Sequence, residues 1–284
     1  VHGSALWARV EAVYGTAQAS GVATKTDTKV CLLPDPSLGG AEFVVRLATA
    51  LKKKPQGSAA KPATKRHASP NPPPNPFLPY EEALWVAHLS DTHTCVLNKF
   101  NVVPYHSLVV TRKFESQGDP LNAQDLAGAS ALLGAMPFGG IAFYNCGPES
   151  GRSQPHKHMQ VVPLPLHEGA VGANVLRPPL LALALAAVDA ASGSAGSAVP
   201  VRIMPYACYA ARIDAVSVGG DSPGALEATF QALLQSAFHG AHAPSPSDPP
   251  PSYNVVMSRE VMLLVPRRSE TVGPLAIKDP FLER

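Results

Sequence analysis

No C-x-x-C pair occurs in the chain, and its four cysteines, Cys31, Cys95, Cys146 and Cys208, lie far apart. That spacing suggests neither a zinc ribbon nor a disulfide framework, and a reducing compartment is the default. Long apolar runs are missing too. The longest helical one, Pro178 to Val188, falls well short of the roughly 20 residues a membrane span needs. Formal net charge is only +2, so the global basic signature of nucleic-acid or membrane binding is absent. The expectation is a soluble intracellular protein, cytoplasmic by default. Because the first residue is Val1 rather than Met, an organelle-targeting peptide would be invisible.

What is present begins with enough apolar material for a core: 45% of the 284 residues are hydrophobic, which suits one large domain or a domain with an appended lobe. Thirty prolines and 22 glycines stay below the share of about 25–30% that marks wholesale disorder. They cluster in Gln56 to Pro79, Ser192 to Ser197 and Pro244 to Pro251, segments that bury too little apolar surface to offset ordering and read as long loops. The basic cluster from Lys52 to Arg66 matches a polyphosphate or a solvated loop.

Between the loops the pattern alternates. Leu84 to Leu89, Thr94 to Phe100 and His106 to Arg112 have the apolar, β-branched character of strands. Asn122 can cap a helix that carries Leu126, Ala129, Leu133 and Met136 on one face and stops near Pro137 and Gly139. Strands are expected at about 141–145 and 158–162, a helix from Pro178, a strand near Val201 to Met204 and a helix striped by Leu226, Phe230, Leu233 and Ala237. Tyr253 to Met257 and Val261 to Val265 read as a hairpin. The sum is an α+β fold with a mostly antiparallel sheet, flanking helices and long Pro/Gly-rich loops.

One segment carries chemistry. In Gln154-Pro155-His156-Lys157-His158-Met159-Gln160 two imidazoles and a carboxamide recur at every second residue. On a strand, alternate side chains share a face, with successive Cα atoms roughly 7 Å apart. His156, His158 and Gln160 would then project together, while Lys157 and Met159 point the other way. A neutral His158 could attack phosphorus and form a nucleotidyl-imidazole, provided its other ring nitrogen is held as a donor, most simply by a backbone carbonyl. Gln160 can donate to a phosphoryl oxygen but delivers no titrating proton. The H-x-H pair is also a metal-ligand geometry. Zinc, however, wants a third ligand, and His88, His93, His106 and His167 sit at no ligand-like spacing. No metal site is therefore assigned.

Upstream, the apolar run Ile141 to Asn145 empties into Cys146-Gly147-Pro148-Glu149-Ser150-Gly151-Arg152-Ser153-Gln154. Short polar residues and glycines expose N–H groups and hydroxyls, a common way to cradle phosphate. His106 reads as a strand cap, and Cys146 as a packed side chain rather than a nucleophile.

These residues, with Asn75-Pro76-Phe77-Leu78-Pro79-Tyr80, Thr92-His93, Leu97-Asn98-Lys99-Phe100-Asn101, Leu108-Val109-Val110-Thr111-Arg112 and Phe143-Tyr144-Asn145, resemble the ATP adenylyltransferase or diadenosine tetraphosphate phosphorylase family. That family belongs to the histidine-triad superfamily and has Gln in place of the third histidine. The likeness runs from about Phe43 to Arg267. It implies a histidine-triad-like fold and a nucleotidyltransferase in which phosphate cleaves diadenosine tetraphosphate reversibly to ATP and ADP through an adenylyl-histidine; sulfate or other anions can also accept the adenylyl group. It divides the chain into an N-terminal catalytic region, 1–170, and a C-terminal region, 171–284, packed as one unit.

Carried over, the resemblance makes His158 the nucleophile, with Gln160 and His156 beside it. Substrate binding falls to Asn98, Lys99, Asn145, Ser150, Gly151, Arg152, Ser153 and Gln154, and to Lys54 as the phosphate-binding lysine. Where the family has a small residue, this chain has Arg152, and Ser269 to Leu275 only faintly echoes the family's Gly-rich closing segment. No covalent cofactor is implied; magnesium can accompany the nucleotide. A metal-dependent or histidine-triad hydrolase and a nucleotide-binding sensor without turnover are the alternatives.

Overall fold

The computed structural model describes residues 3–47, 75–166, 178–191, 195–213, 223–238, 251–269, 271–272 and 275–276. Lys54, and most of the loops read from Gln56 to Pro79 and from Pro244 to Pro251, lie outside them. The elements in chain order are α1 (Gly3–Ala19), β1 (Thr24–Lys25), β2 (Lys29–Asp35), β3 (Ala41–Leu47), β4 (Trp85–His88), β5 (His93–Leu97), β6 (Phe100–Asn101) and β7 (Ser107–Thr111). Then come α2 (Ala123–Ala135), β8 (Gly140–Cys146), β9 (His158–Pro163), α3 (Pro179–Ala190), β10 (Val199–Pro200) and β11 (Tyr209–Arg212). The chain continues through α4 (Pro223–Phe238), β12 (Ser252–Met257), β13 (Val261–Arg267), β14 (Thr271–Val272) and β15 (Leu275–Ala276).

Nine of these strands form one antiparallel sheet in the order β10, β11, β13, β12, β8, β9, β7, β5, β4. Strands from either side of residue 170 share it, because β12 pairs with β8. Side-chain alternation gives the sheet two apolar faces. Met159, Val161, Tyr144, Val255 and Met257 join Leu6, Val10, Leu126, Leu132, Phe230 and Leu233 of α1, α2 and α4. Ile141, Phe143, Val162, Val256 and Leu263 pack on the opposite face against Leu181, Ala184, Leu185 and Val188 of α3. Helix α2 comes so close to the sheet that a Cβ on Gly128 would strike Val109 Cγ1 at 2.7 Å.

Most expected elements appear within a residue or two of their expected limits. Asn122 caps α2 with a full capping box, its side chain accepting from Asp125 N while the Asp125 carboxylate accepts from Asn122 N. The expected strand at Val201 to Met204 is absent. Those residues turn, with Val201 N donating to Cys208 O and Met204 N to Val201 O. Pairing ends just before them, with Pro200 of β10 opposite Tyr209, and Pro205 removes a backbone donor at the far end of the stretch. Val201 and Met204 are buried against the α3 face instead. Helix α3 starts one residue later than expected, with Pro179 in its first turn and Pro178 as its N-cap.

A buried charge cluster anchors β9 from behind. Lys157, 2% exposed, reaches Asp125 Oδ2 at 2.6 Å and Pro120 O at 2.9 Å, and Asp125 Oδ1 pairs with His93 Nε2 at 2.9 Å. Burial alone would raise the Asp125 pKa, but His93, Lys157 and the Asn122 N–H together hold it below the usual carboxylate range. The folded-state value lies under the unfolded one, so this contribution to stability is present above the unfolded pKa and is lost as pH falls through the folded value. Asp125→Ala removes the buried partner of both Lys157 and His93, leaves Lys157 only Pro120 O and the half-exposed Glu115 carboxylate at 3.5 Å, and is expected to cost about 3 kcal/mol in denaturant unfolding. Glu81→Ala, which breaks only the exposed 2.8 Å pair with Lys99, is expected to cost about 1 kcal/mol or less. Equal losses for the two variants would contradict this ranking.

Candidate active site

The cleft lies on the α3 side of the sheet, beyond the end of that helix's apolar cluster, and encloses about 290 Å³. Its lining is part apolar, with Pro76, Phe77, Leu84, Val96, Leu97 and Leu108, and part polar, with Asn98, His106, Asn145, Ser153, Gln154, His158 and Gln160. Alternation along β9 explains why His158 and Gln160 open here while Met159 and Val161 enter the helix-covered core.

Two contacts hold His158. Its Nδ1 lies 2.8 Å from the His156 carbonyl. A carbonyl only accepts, so Nδ1 carries the proton and Nε2 keeps its lone pair. The ring belongs to a residue only 6% exposed, and burial pushes its pKa down to about 4, with the carbonyl bond opposing and the charge of His156 assisting. Phe77, 5.3 Å away between ring centroids, covers it.

The backbone around His158 is held by Gln117. Strands β8 and β9 stop pairing at Phe143 and Gln160; continuing that register would set Asn145 opposite His158. The Gln117 carboxamide fills the gap. Its Nε2 donates to Asn145 O at 3.1 Å and His158 O at 3.2 Å, and its Oε1 accepts from His158 N at 2.8 Å. A side-chain amide thus replaces a ladder rung while the strands part to form the cleft.

His156 plays a different part from the one its spacing suggested. Its residue is fully buried and it does not line the cleft. Nδ1 meets the Asn75 side chain at 3.0 Å, and Nε2 meets Oγ1 and O of Thr111, each at 2.9 Å. Both ring nitrogens are engaged by protein, which argues against an H-x-H metal pair. What His156 offers the site is its carbonyl.

His106, read from the sequence as a strand cap, lines the cleft beside Gln160. Phe100 N donates to Asn98 Oδ1 at 3.2 Å, which turns the Asn98 amide nitrogen toward His106 Nδ1 at 3.0 Å. His106 Nδ1 therefore accepts, and Nε2 carries the proton. Burial drives this imidazole down to about 3, against the pull of Gln160 and with the charge of His158 adding to the shift. Gln160 nevertheless makes no well-formed bond to it: Nε2 is buried without a partner among the described residues. Tyr105, just before it, takes a left-handed φ of 60°, a costly conformation for a bulky residue. Its ring is wedged 4.5 Å from Tyr14 and 5.4 Å from Trp7, both on α1.

The Gly/Ser loop divides. Gly151, Ser153 and Gln154 line the cleft, whereas Ser150 is fully buried and donates to Gly147 O at 2.8 Å. Gly147 opens the loop at φ 82° with Ser252 packed where a side chain would stand. Arg152 is exposed and is not a cleft residue. At the rim Lys99 pairs with Glu81 at 2.8 Å. Of the expected site residues, then, the fold gathers His158, Gln160, Asn98, Lys99, Asn145, Gly151, Ser153 and Gln154. It leaves His156, Ser150 and Arg152 outside the cleft, and Lys54 lies beyond the described residues. Gln117 went unread, and His106 was read only as a strand cap. An unpaired buried imidazole shows only in three dimensions, and nothing in Ser116-Gln117-Gly118 marks the glutamine as a rung.

Both halves of the chain match family models. The Ap4A phosphorylase N-terminal domain matches residues 1–178, and the ATP adenylyltransferase C-terminal domain matches residues 202–278. Diadenosine 5',5'''-P1,P4-tetraphosphate phosphorylase 2 of Saccharomyces cerevisiae is 43% identical over 79 residues, 25% of this chain and 24% of its own. Protein APA1 of the same yeast is 43% identical over 75 residues, 25% of this chain and 23% of its own. The matched stretch thus spans about a quarter of the length of these curated relatives. The crystal structure of yeast Ap4A phosphorylase Apa2 in complex with AMP superposes with a TM-score of 0.74 at 23% identity, covering 96% of this chain and 83% of that one. The complex of the same protein with Ap4A gives 0.71 at 24%, covering 95% and 83%. At these identities the structural likeness bears on the fold.

The buried imidazole gives a direct check. In nuclear magnetic resonance of the ring nitrogens, His158 is expected to be neutral and protonated at Nδ1 at pH 7, with a titration midpoint near 4. Since the unfolded ring binds its proton near about 6.5, stability should fall as pH drops from there toward the folded value. A midpoint at or above the unfolded value, or a proton on Nε2, would contradict the assignment.

Proposed function

The chain belongs to the Ap4A phosphorylase and ATP adenylyltransferase family, and from that premise we propose that it catalyses reversible phosphorolysis of diadenosine tetraphosphate to ATP and ADP through an adenylyl group carried on His158. The observation that carries this reading is the pairing of His158 Nδ1 with the His156 carbonyl in a ring that burial keeps uncharged. Nε2 is then the nucleophilic atom at neutral pH. As the bond from Nε2 to the α-phosphorus forms, the bond from that phosphorus to the bridging oxygen breaks and ATP leaves. An oxygen of inorganic phosphate next attacks the same phosphorus, releasing ADP and returning the electron pair to Nε2. The carbonyl of His156 offsets the positive charge that the ring acquires in between.

The supporting groups are donors suited to an anion. Gln160, Asn145, Ser153 and the His106 Nε2–H surround the nucleophile's half of the cleft, and preorganised donors of this kind stabilise charge as it develops on phosphoryl oxygens. Lys99 stands at the rim, where an incoming polyphosphate competes with Glu81 for it. Lys54 is retained as a phosphate ligand on the strength of the resemblance. The apolar lining with Phe77 and Leu108 suits a purine. Magnesium is proposed only as a companion of the nucleotide: among the described residues that line the cleft, Glu81 is the sole carboxylate and is already paired, so these residues do not compose a resident magnesium site. A reducing intracellular setting goes with this reading, and Cys31, Cys95, Cys146 and Cys208 are all free thiols.

Gln160 bears on the acceptor. A histidine there could protonate a leaving group, whereas a carboxamide only positions it. ATP leaves as a stable anion and needs little protonation, so the second half-reaction favours phosphate or another anion, such as sulfate, over water. Diadenosine tetraphosphate labelled at the α-phosphorus is expected to leave acid-labile, alkali-stable label on the quenched protein, and His158→Ala is expected to abolish it. Label that persists at the same level in the variant would overturn the nucleophile assignment. Gln160→Ala is expected to slow turnover about 100- to 1000-fold with modest loss of binding. Equal turnover in phosphate-free buffer would make the protein a hydrolase.

A further inference from the structure

We propose that Asn254 and Arg267, on the C-terminal hairpin, are positioning residues that set which end of the Asn145 amide faces the cleft. The proposal rests on the phosphorolytic reading above and goes beyond it, since neither residue lines the cleft. Arg267 is a group with only one hydrogen-bonding sense. A guanidinium donates and never accepts. Arg267 Nη1 lies 2.8 Å from Asn254 Oδ1, so that atom is the carbonyl oxygen, and the Asn254 amide cannot be flipped without opposing two donors.

The remaining end of Asn254 is therefore its NH2, which has two hydrogens and finds two acceptors. Nδ2 donates to Asn145 Oδ1 at 2.7 Å and to Ser150 O at 2.9 Å. Asn254 is 2% exposed and Asn145 5%, so water does not readily supply a substitute. With Oδ1 of Asn145 occupied, the polar group that Asn145 can turn to the cleft is Nδ2, a donor suited to a phosphoryl oxygen. The second bond fixes the carbonyl of Ser150, which leads into the cleft-lining Gly151 and Ser153. One charge in the C-terminal half thus determines the polarity of an amide at the opposite end of the relay and the placement of the loop beside it. The β12 to β8 register, with Asn254 opposite Asn145, makes the relay short enough to work.

Asn254→Asp tests this with nearly no change in shape. A carboxylate still accepts from Arg267 but gives Asn145 and Ser150 no donor, so Asn145 should invert and present oxygen to the phosphate. The expected result is a fall in kcat of about 100-fold, with little change in KM for diadenosine tetraphosphate and with thermal unfolding close to the parent's. Because the effect passes mainly through Asn145, Asn254→Asp is expected to cost far less kcat in an Asn145→Ala background than in the parent, the remainder reflecting the lost bond to Ser150 O. Arg267→Met should show the same dependence on Asn145, and it serves if the aspartate variant folds poorly. Losses that multiply in the double variants, or Asn254→Asp and Arg267→Met enzymes that match the parent, would overturn the positioning role. Failure of the parent enzyme to cleave the substrate in a phosphate-dependent way would sink the phosphorolytic reading instead.

Discussion

The hydrogen bond from His158 Nδ1–H to the carbonyl of His156 is the constraint on which the rest of the site depends. It decides where the ring proton resides and therefore which nitrogen has a free electron pair. Much of the surrounding structure serves to keep that carbonyl and that ring in register. The His156 side chain is pinned between Asn75 and Thr111, Lys157 ties the intervening residue to Asp125 and Pro120 behind the sheet, and Gln117 holds the His158 peptide on both sides. Three consecutive residues, His156, Lys157 and His158, are thus anchored in three directions.

A second theme is that amide and imidazole polarity is set by neighbours with a single hydrogen-bonding sense. The Phe100 N–H orients Asn98, which in turn makes His106 a donor at Nε2. The Arg267 guanidinium orients Asn254, which orients Asn145. Both chains end in an N–H directed at the cleft. Such donors need little reorganisation when charge appears on a phosphoryl group, and that economy is what makes electrostatic catalysis effective. The second chain reaches Asn145 from the C-terminal half, so the joining of β12 to β8 is also what completes the site.

Local pattern made much of this legible. Alternation in His156 to Val161 told correctly which residues of β9 turn toward the helix-covered core, and Asn122 announced the start of α2. The strand expected at Val201 to Met204 failed because apolar, β-branched character was weighed without Pro205 at its far end; the pairing stops with β10 at Pro200. Leu6, Val10, Tyr14 and Ala17 carry the helical spacing of α1, and β2 with β3 forms a plain hairpin, yet neither was read. Periodicity could not distinguish His156 from His158. They share a face, but only the fold puts Thr111 and Asn75 against the first ring and an open cleft against the second. Gln117 and His106 acquire their roles from partners 41 and 8 residues away in sequence, and the partner, not the spacing, defines the function.

Adenylyl transfer by this site is two successive displacements at one phosphorus, with the imidazole of His158 as the first nucleophile. Each in-line displacement inverts configuration, so two in sequence restore it. Diadenosine tetraphosphate made chiral at the α-phosphorus by sulfur substitution reads this directly. Phosphorolysis is expected to give an ADP thio-analogue with configuration retained at that phosphorus; inversion would mean that phosphate attacks the substrate directly and that His158 never carries the adenylyl group.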